Sequence, residues 1–414
     1  MSRHPAYRKT TLPNGLRVVT EHIQHVRSAS IGAWIASGSR NENDKNSGIS
    51  HYIEHMMFKG TETQTASDIA QSLESVGGHL NAFTSKEMTC YYAHVLDEHV
   101  VRAVEVISDF LANSLFDEGE MIKEKRVVLE ELSNIEETPE ELIHELFWMD
   151  LFPNHPLGYP IIGTRESIGN ISRPDITDYL HRNYTADRMV LAAAGNVNHD
   201  DLVALAQERF GTVQRGTGQT CEAPVANGAS KNVIENGAIQ AHICVGTQAY
   251  TYRDRKKFAL LVLNTLLGSG MSSRLFQNVR EKYGLAYSIY SFIDFMVDTG
   301  IFGVYVGTDR ENIDGALELI HKELLKLKEC SVPSDELLRT KSQLKGNLML
   351  GLEDTSSRMN RLAKMELFLG EYFSLDDTLA EIEKVTVEEI MDVAAELFDF
   401  DHMQTTILKP AESK

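Results

Sequence analysis

Two histidines and one glutamate in a single short segment are the side chains of this sequence best suited to chemistry. His51 and His55 are four residues apart, so on a helix their imidazoles lie on the same face. Glu54 lies beside them, in the order H-x-x-E-H. Two imidazoles and an adjacent carboxylate on a buried helix are typical of a catalytic zinc site. We therefore predict Zn²⁺ as the cofactor, bound by these two histidines.

The helix that would carry these side chains is predicted over residues 48–58. Ser47 is the expected N-cap, and Gly60 follows the last turn. Apolar residues cover much of the remaining circumference and predict that this side of the helix is buried. They are Ile49, Ile53, Met56 and Met57.

A catalytic zinc usually has three protein ligands and one open position. The helix predicted over residues 117–136 offers carboxylates for the third ligand, and the pattern alone leaves the choice open. The candidates are Glu120, Glu124, Glu130 and Glu131. Glu124 and Glu131 lie within about 20° of the same helix face. One of them could bind the metal while the other orients a histidine or a water molecule.

Length and charge exclude several classes of protein. With 414 residues, the chain is long enough for two domains of about 200 residues each. The formal net charge of −20 excludes a protein that binds nucleic acid mainly through phosphate contacts. The same charge attracts cationic partners, so basic peptides are among the expected partners.

The cysteines are far apart and form no C-x-x-C pair: Cys90, Cys221, Cys244 and Cys330. This spacing favours free thiols in a reducing compartment. The N-terminal residues lack the apolar run of a signal peptide, and no segment predicts a membrane-spanning helix. We expect a cytoplasmic protein with no membrane partner.

The second half of the chain repeats the predicted order of elements of the first. In the first half, residues 14–38 predict a hairpin with strands at 16–20 and 28–35, and further strands lie at 79–84 and 89–95. In the second half, strands are predicted at 241–247, 285–292 and 300–307, and helices at 256–267, 273–282, 312–327 and 334–350. The fold class is therefore α+β, with two structurally related domains, each a mainly antiparallel sheet covered by helices. We place the domains at residues 1–213 and 232–414, joined by a linker at 214–231.

Four segments in this order resemble the pitrilysin-type zinc metallopeptidases, or inverzincins, over essentially the whole chain. The likeness is greatest to the catalytic subunit of the mitochondrial processing peptidase and its bacterial half-length relatives. The segments are His51-Tyr52-Ile53-Glu54-His55-Met56-Met57-Phe58-Lys59-Gly60-Thr61, Leu80-Asn81-Ala82-Phe83-Thr84-Ser85-Lys86-Glu87, Val127-Val128-Leu129-Glu130-Glu131-Leu132 and Arg280-Glu281-Lys282-Tyr283-Gly284-Leu285-Ala286-Tyr287.

The resemblance implies a role for each site residue. Glu131 would be the third zinc ligand, Glu54 the general base, and Glu124 a supporting carboxylate. An edge strand would receive the substrate backbone through Asn81, Ala82 and Phe83. From the second domain, Arg280 would grip the substrate and Tyr287 would reach the developing oxyanion.

The resemblance also implies a function. We expect a zinc endopeptidase that hydrolyses unfolded or presequence-like peptides inside a closed acidic cavity between the two facing domains. The second domain should bind no metal, because residues 256–267 contain neither His nor Glu and residues 339–352 contain no acid. A half-length chain of this type is expected to form a homodimer. The alternative is a non-catalytic structural subunit or a peptide-sequestering protein of the same fold.

Overall fold

The structure, a computed structural model, describes residues 6–216 and 222–411. The strands of this part of the chain are β1 (Tyr7–Thr11), β2 (Arg17–His22), β3 (Ser28–Ile35), β4 (His79–Thr84), β5 (Thr89–Leu96), β6 (Met189–Gly195), β7 (Lys231–Asn236), β8 (Ala241–Gln248), β9 (Ser288–Phe295), β10 (Gly300–Thr308) and β11 (Gln404–Pro410). The helices are α1 (Ile49–Met57), α2 (Ala66–Glu74), α3 (Val100–Asn113), α4 (Glu118–Glu137), α5 (Pro139–Leu151), α6 (Arg165–Asn170), α7 (Arg173–Asn183), α8 (His199–Phe210), α9 (Lys257–Gly268), α10 (Ile313–Glu329), α11 (Ser334–Gly351), α12 (Thr355–Phe368), α13 (Leu375–Lys384) and α14 (Val387–Leu397).

The first sheet has the order β1-β2-β6-β3-β5-β4, and only the β2–β6 pair is parallel. The hairpin predicted between β2 and β3 is therefore wrong. Strand β6 lies between them and pairs with β2 on one side and β3 on the other. Every residue of β6 is buried, as expected for a central strand. The local hairpin is formed by β1 and β2, around a turn in which Gly15 has a φ of 100°.

The second sheet has the order β7-β11-β8-β10-β9, with β7–β11 as its parallel pair. Its strands follow the same succession and directions as β2-β6-β3-β5-β4 of the first sheet. The predicted α+β fold, with mainly antiparallel sheets covered by helices, is confirmed. The helix predicted at 273–282 is a π-helix over Phe276–Lys282, and the strand predicted from residue 285 begins at Ser288.

The compact units do not follow a single cut near residue 213. In the described residues, the first unit comprises 6–133, 159–216 and 351–372, and the second comprises 134–158, 222–350 and 373–411. Helix α5 packs on β11 and β8, whereas α12 packs on β6, β3 and β2. Burial of apolar side chains explains why α12 belongs to the first unit. Its Met359 and Ala363 are wholly buried in the unit that contains the alanine-rich β6.

Two further expectations concern thiols and membranes. Cys90, Cys244 and Cys330 are free thiols, and Cys221 lies outside the described residues, as do residues 217–221 of the predicted linker. Among the described helices, none has the length and apolar composition needed to cross a bilayer.

Candidate metal centre and active site

Helix α1 begins differently from the prediction. Its N-cap is Gly48, in the left-handed conformation with a φ of 88°, and not Ser47. The carboxylate of Glu42 accepts hydrogen bonds from the backbone N–H groups of Gly48 at 2.7 Å and Ser50 at 2.9 Å. The carboxylate thus satisfies the first amides of the helix and lies where the helix dipole favours negative charge. A side chain from outside the helix therefore replaces the expected local cap.

The carboxyl group of Glu42 gives a testable pH dependence. Burial raises its pKa to about 7, against the opposing hydrogen bonds from Ser50 and Gly48. The folded state therefore holds this proton more tightly than the unfolded state, so the free energy of unfolding should fall as the pH rises from about 4.5 to 7. That loss amounts to roughly 3 kcal/mol. Glu42→Gln should lack it. Urea unfolding at several pH values between about 4.5 and 7 measures the free energy of unfolding of both proteins. If that free energy changed equally with pH in both, the raised pKa would not belong to Glu42.

The three predicted zinc ligands lie together. One ligand atom each from His51, His55 and Glu131 lies within 4.8 Å of the other two. The Oε2 atom of Glu131 is 4.0 Å from Nε2 of His51 and 3.5 Å from Nε2 of His55. Helices α1 and α4 are joined by the Tyr52 hydroxyl, which donates to the carbonyl of Met121 at 2.7 Å. This bond helps to fix the carboxylate relative to the imidazoles.

Glu124 lies behind His55. Its Oε1 accepts a hydrogen bond from Nδ1 of His55 at 2.8 Å, and its Oε2 is 2.7 Å from Nζ of Lys59. Burial opposes ionisation of Glu124, yet these two partners hold its pKa below the usual range. The Nδ1–H bond leaves Nε2 of His55 as the nitrogen available to a metal. Glu124 is thus placed to orient a ligand.

The two histidines have different electrostatic surroundings. Burial, together with the neighbouring His55, lowers the pKa of His51 to about 4, so this ring is neutral. Burial alone would lower the pKa of His55, but the hydrogen bond to Glu124 and the charge of Glu131 raise it. The Nδ1 atom of His51 is buried and has no hydrogen-bond partner within the described residues.

Glu54 projects from α1 beside the histidines. Its Oε2 accepts a hydrogen bond from the Thr84 hydroxyl at 2.6 Å. Burial raises the pKa of Glu54 despite this bond, which favours ionisation. A carboxyl group with a raised pKa accepts a proton more readily than an ordinary glutamate does.

The remaining carboxylates of α4 lie outside this cluster. Glu120 pairs with Lys123 at 2.6 Å, and Glu130 is exposed. Of the four candidates that the pattern left open, Glu131 alone joins the imidazoles in the metal-ligand group found among the described residues. Glu131 as the third ligand remains a prediction, now with a geometric basis.

Strand β4 carries the predicted substrate-binding residues. Within the described residues it pairs only with β5, so it forms one edge of the first sheet. Asn81 is exposed, and its Oδ1 accepts from the backbone N–H of Ala82 at 2.8 Å. The ring of Phe83 packs edge-to-face on Trp34, with 5.4 Å between centroids. The edge of a sheet is where an extended peptide can add as a further strand.

Arg280 and Tyr287 belong to the second unit. The structure brings them together: the guanidinium carbon lies 5.7 Å from the centre of the Tyr287 ring and 4.7 Å from that of Phe276. Tyr287 is 74% exposed. Their roles toward a substrate remain predictions.

No role was assigned from the sequence to three residues that contact the site or the helix that carries it: Glu42, Lys59 and Thr84. Lys59 lies four residues after His55, a spacing that could have suggested a shared partner near the helix end. Thr84 and Glu42 have no comparable signal, because their contacts depend on how β4 and the loop before α1 meet that helix.

The donor set fits zinc. Two imidazole nitrogens and a carboxylate oxygen are a common catalytic zinc triad. Donor atoms around a tetrahedral zinc lie about 3.4 Å apart, which follows from bond lengths near 2.05 Å. The 3.5 and 4.0 Å separations found here are close to this value. One departure is that a ligating histidine usually donates its second nitrogen to a partner, as His55 does and His51 does not.

Two family models match adjacent parts of this chain. Residues 17–165 match the family model described as Insulinase (Peptidase family M16), and residues 170–344 match the one described as Peptidase M16 inactive domain. An uncharacterized zinc protease of Bacillus subtilis is 42% identical over 396 residues, which cover 95% of this chain and 96% of the relative. The chain belongs to peptidase family M16.

Other relatives of this M16 chain include a processing enzyme. The mitochondrial-processing peptidase subunit beta of Blastocladiella emersonii is 35% identical over 409 residues, covering 96% of this chain and 87% of that protein. A solved protease structure from Helicobacter pylori aligns with a TM-score of 0.91 at 25% identity, over 98% of this chain and 100% of that one. The resemblance to pitrilysin-type zinc metallopeptidases is confirmed, and zinc is the cofactor of this family.

Proposed function

We propose that this M16 chain is a zinc endopeptidase that cuts extended, unfolded or presequence-like peptides. The observation that carries the proposal is the cluster of His51, His55 and Glu131 with Glu54 beside it. We further propose a cytoplasmic homodimer that encloses its substrate in an acidic cavity. The net charge of −20 supports a preference for basic peptides.

In this mechanism each residue has a defined task. His51, His55 and Glu131 hold the metal, and Glu124 keeps His55 oriented through its Nδ1–H. Zinc, when bound, supplies a Lewis acid that polarises the scissile carbonyl and lowers the pKa of water. Glu54 takes a proton from the attacking water and returns it to the leaving nitrogen.

The residues proposed to bind the substrate have separate tasks. The free edge of β4 offers backbone hydrogen bonds to an extended peptide, which excludes folded substrates. Arg280 binds the peptide, and the Tyr287 hydroxyl donates a hydrogen bond to the oxyanion that develops on the carbonyl. These roles follow the family resemblance, and the exposure of Tyr287 is compatible with them.

A mixed peptide library tests the proposal. The purified protein should cut some of its members, chelation should stop cleavage, and added Zn²⁺ should restore it. Mass spectrometry of the products would also show whether basic residues lie near the cleavage sites. If the zinc-loaded protein binds peptides and leaves them whole, the alternative of a structural or peptide-sequestering protein takes its place.

Substitution of Tyr287 tests whether its hydroxyl acts in catalysis rather than in folding. Tyr287→Phe removes only one hydroxyl from an exposed ring, so stability and zinc content should not change. If this hydroxyl stabilises the transition state, kcat should fall by about 10²–10³. Tyr283→Phe is the matched control, because Tyr283 is also exposed, at 50%.

Arg280→Ala should instead raise KM, if the guanidinium grips the peptide in ground and transition states alike. For Tyr287, a full kcat in the Tyr287→Phe variant would show that the Tyr287 hydroxyl takes no part in the mechanism.

A further inference from the structure

The hydrogen bond between Thr84 and Glu54 links the end of β4 to the carboxylate of the active site. Its 2.6 Å length matches a hydroxyl that donates to an ionised carboxylate. A threonine hydroxyl has one proton to donate, and here it goes to Oε2. This leaves Oε1 of Glu54 for proton transfer.

The position of Thr84 is fixed from several directions. It is the last residue of β4 and pairs with Thr89 of β5. The turn that follows is closed by a hydrogen bond from the Ser85 N–H to the Met88 carbonyl at 2.8 Å. The Ser85 carbonyl also accepts from the Ser39 N–H at 3.2 Å. Because the side chain is β-branched, its hydroxyl direction is restricted as well.

We propose that Thr84 is a positioning residue, which holds the Glu54 carboxylate in its reactive orientation and couples it to the strand that receives the substrate. The proposal rests on the function proposed above. A peptide added to the β4 edge binds the strand that carries Thr84, and Thr84 in turn orders Glu54. Without the hydroxyl, the carboxylate can rotate about its side-chain bonds, while the edge that binds the peptide backbone is intact.

Kinetics of three variants test this coupling. Thr84→Val keeps the shape and removes the hydroxyl, and kcat should fall by about 10-fold to 100-fold at unchanged KM and zinc content, as expected when a reacting group is misplaced. Thr84→Ser should restore most of the rate, because serine can donate the same bond. The matched control is Thr10→Val, since Thr10 also bonds a side chain of this unit, His199, but lies on β1 at the opposite edge of the sheet.

A double-mutant cycle identifies the residue through which Thr84 acts. In a Glu54→Gln background, Thr84→Val should cause no further loss, because the group that it positions is already inactive. An equal loss in both backgrounds would show that Thr84 acts through strand packing and would overturn the proposal. So would a Thr84→Val variant with full kcat.

A crystal structure of the zinc-loaded Thr84→Val variant gives a readout that needs no activity. The Glu54 carboxylate should leave its present orientation or occupy more than one, whereas Thr84→Ser should retain it. An unchanged, single orientation in the valine variant would overturn the proposal. If the unaltered protein cut no peptide, the proposed function would fail, and this comparison would still decide the role of Thr84.

Discussion

Glu54→Gln should bind zinc normally and lose nearly all peptide hydrolysis. The amide keeps the shape of the side chain and can still accept a hydrogen bond from Thr84, but it cannot take a proton from water. Loss of a general base costs about 10²–10⁴-fold, and more when the base also generates the nucleophile. The rate of peptide cleavage by the zinc-loaded variant measures this effect directly.

The control for this variant is its metal content and peptide binding. Glu54 lies outside the ligand cluster, so atomic absorption should find as much zinc as in the unaltered protein. A peptide that is cut by the unaltered protein should bind the variant and remain whole. Turnover close to normal would exclude Glu54 as the general base and would leave the raised pKa of its partly buried carboxyl without a catalytic use.

The second large effect concerns the metal itself. Glu131→Gln replaces an anionic ligand by a neutral amide, and zinc affinity should fall by more than about 100-fold, because loss of even an outer-shell partner costs 10–100-fold. Glu130→Gln is the matched control: the adjacent residue on the same helix is exposed and lies outside the cluster. Competition with a chromogenic chelator measures both affinities.

Glu124→Gln adds a graded comparison. Its carboxylate contacts His55 and Lys59 rather than the metal position, so this variant should retain much of its zinc. If Glu131→Gln kept full affinity while Glu120→Gln or Glu130→Gln lost it, the third ligand would be assigned to the wrong glutamate. His51→Ala and His55→Ala should each deplete zinc whichever glutamate is the ligand.

Local patterns predicted the elements around the site well. Strand β4 has the bounds that its alternating residues predicted, and the apolar face of α1 is fully buried. The i, i+4 spacing brought the two histidines together, because helix geometry is set within a few residues. The choice among four glutamates on α4 needed either the family resemblance or the structure, since helical spacing alone allowed more than one.

The errors in capping, strand pairing and unit boundaries involve contacts that a local sequence pattern does not record. The cap of α1 comes from Glu42, six residues before Gly48, and its position depends on a loop conformation. The hairpin expected between β2 and β3 is interrupted by β6, which follows them by more than 150 residues. An apolar stripe on α5 or α12 shows that the helix is buried, but does not show which sheet it covers.

The placement of α12 has a consequence for folding during synthesis on the ribosome. Strand β6 ends at Gly195, but the helix that packs on it begins only at Thr355. Until that helix leaves the exit tunnel, one face of the first sheet lacks its apolar cover. Helix α5, in turn, emerges before the strands on which it packs have been synthesised. Domains of many large proteins fold one after another as they are translated. Here neither unit can be completed before the other is largely made, because each contains segments from both early and late parts of the chain.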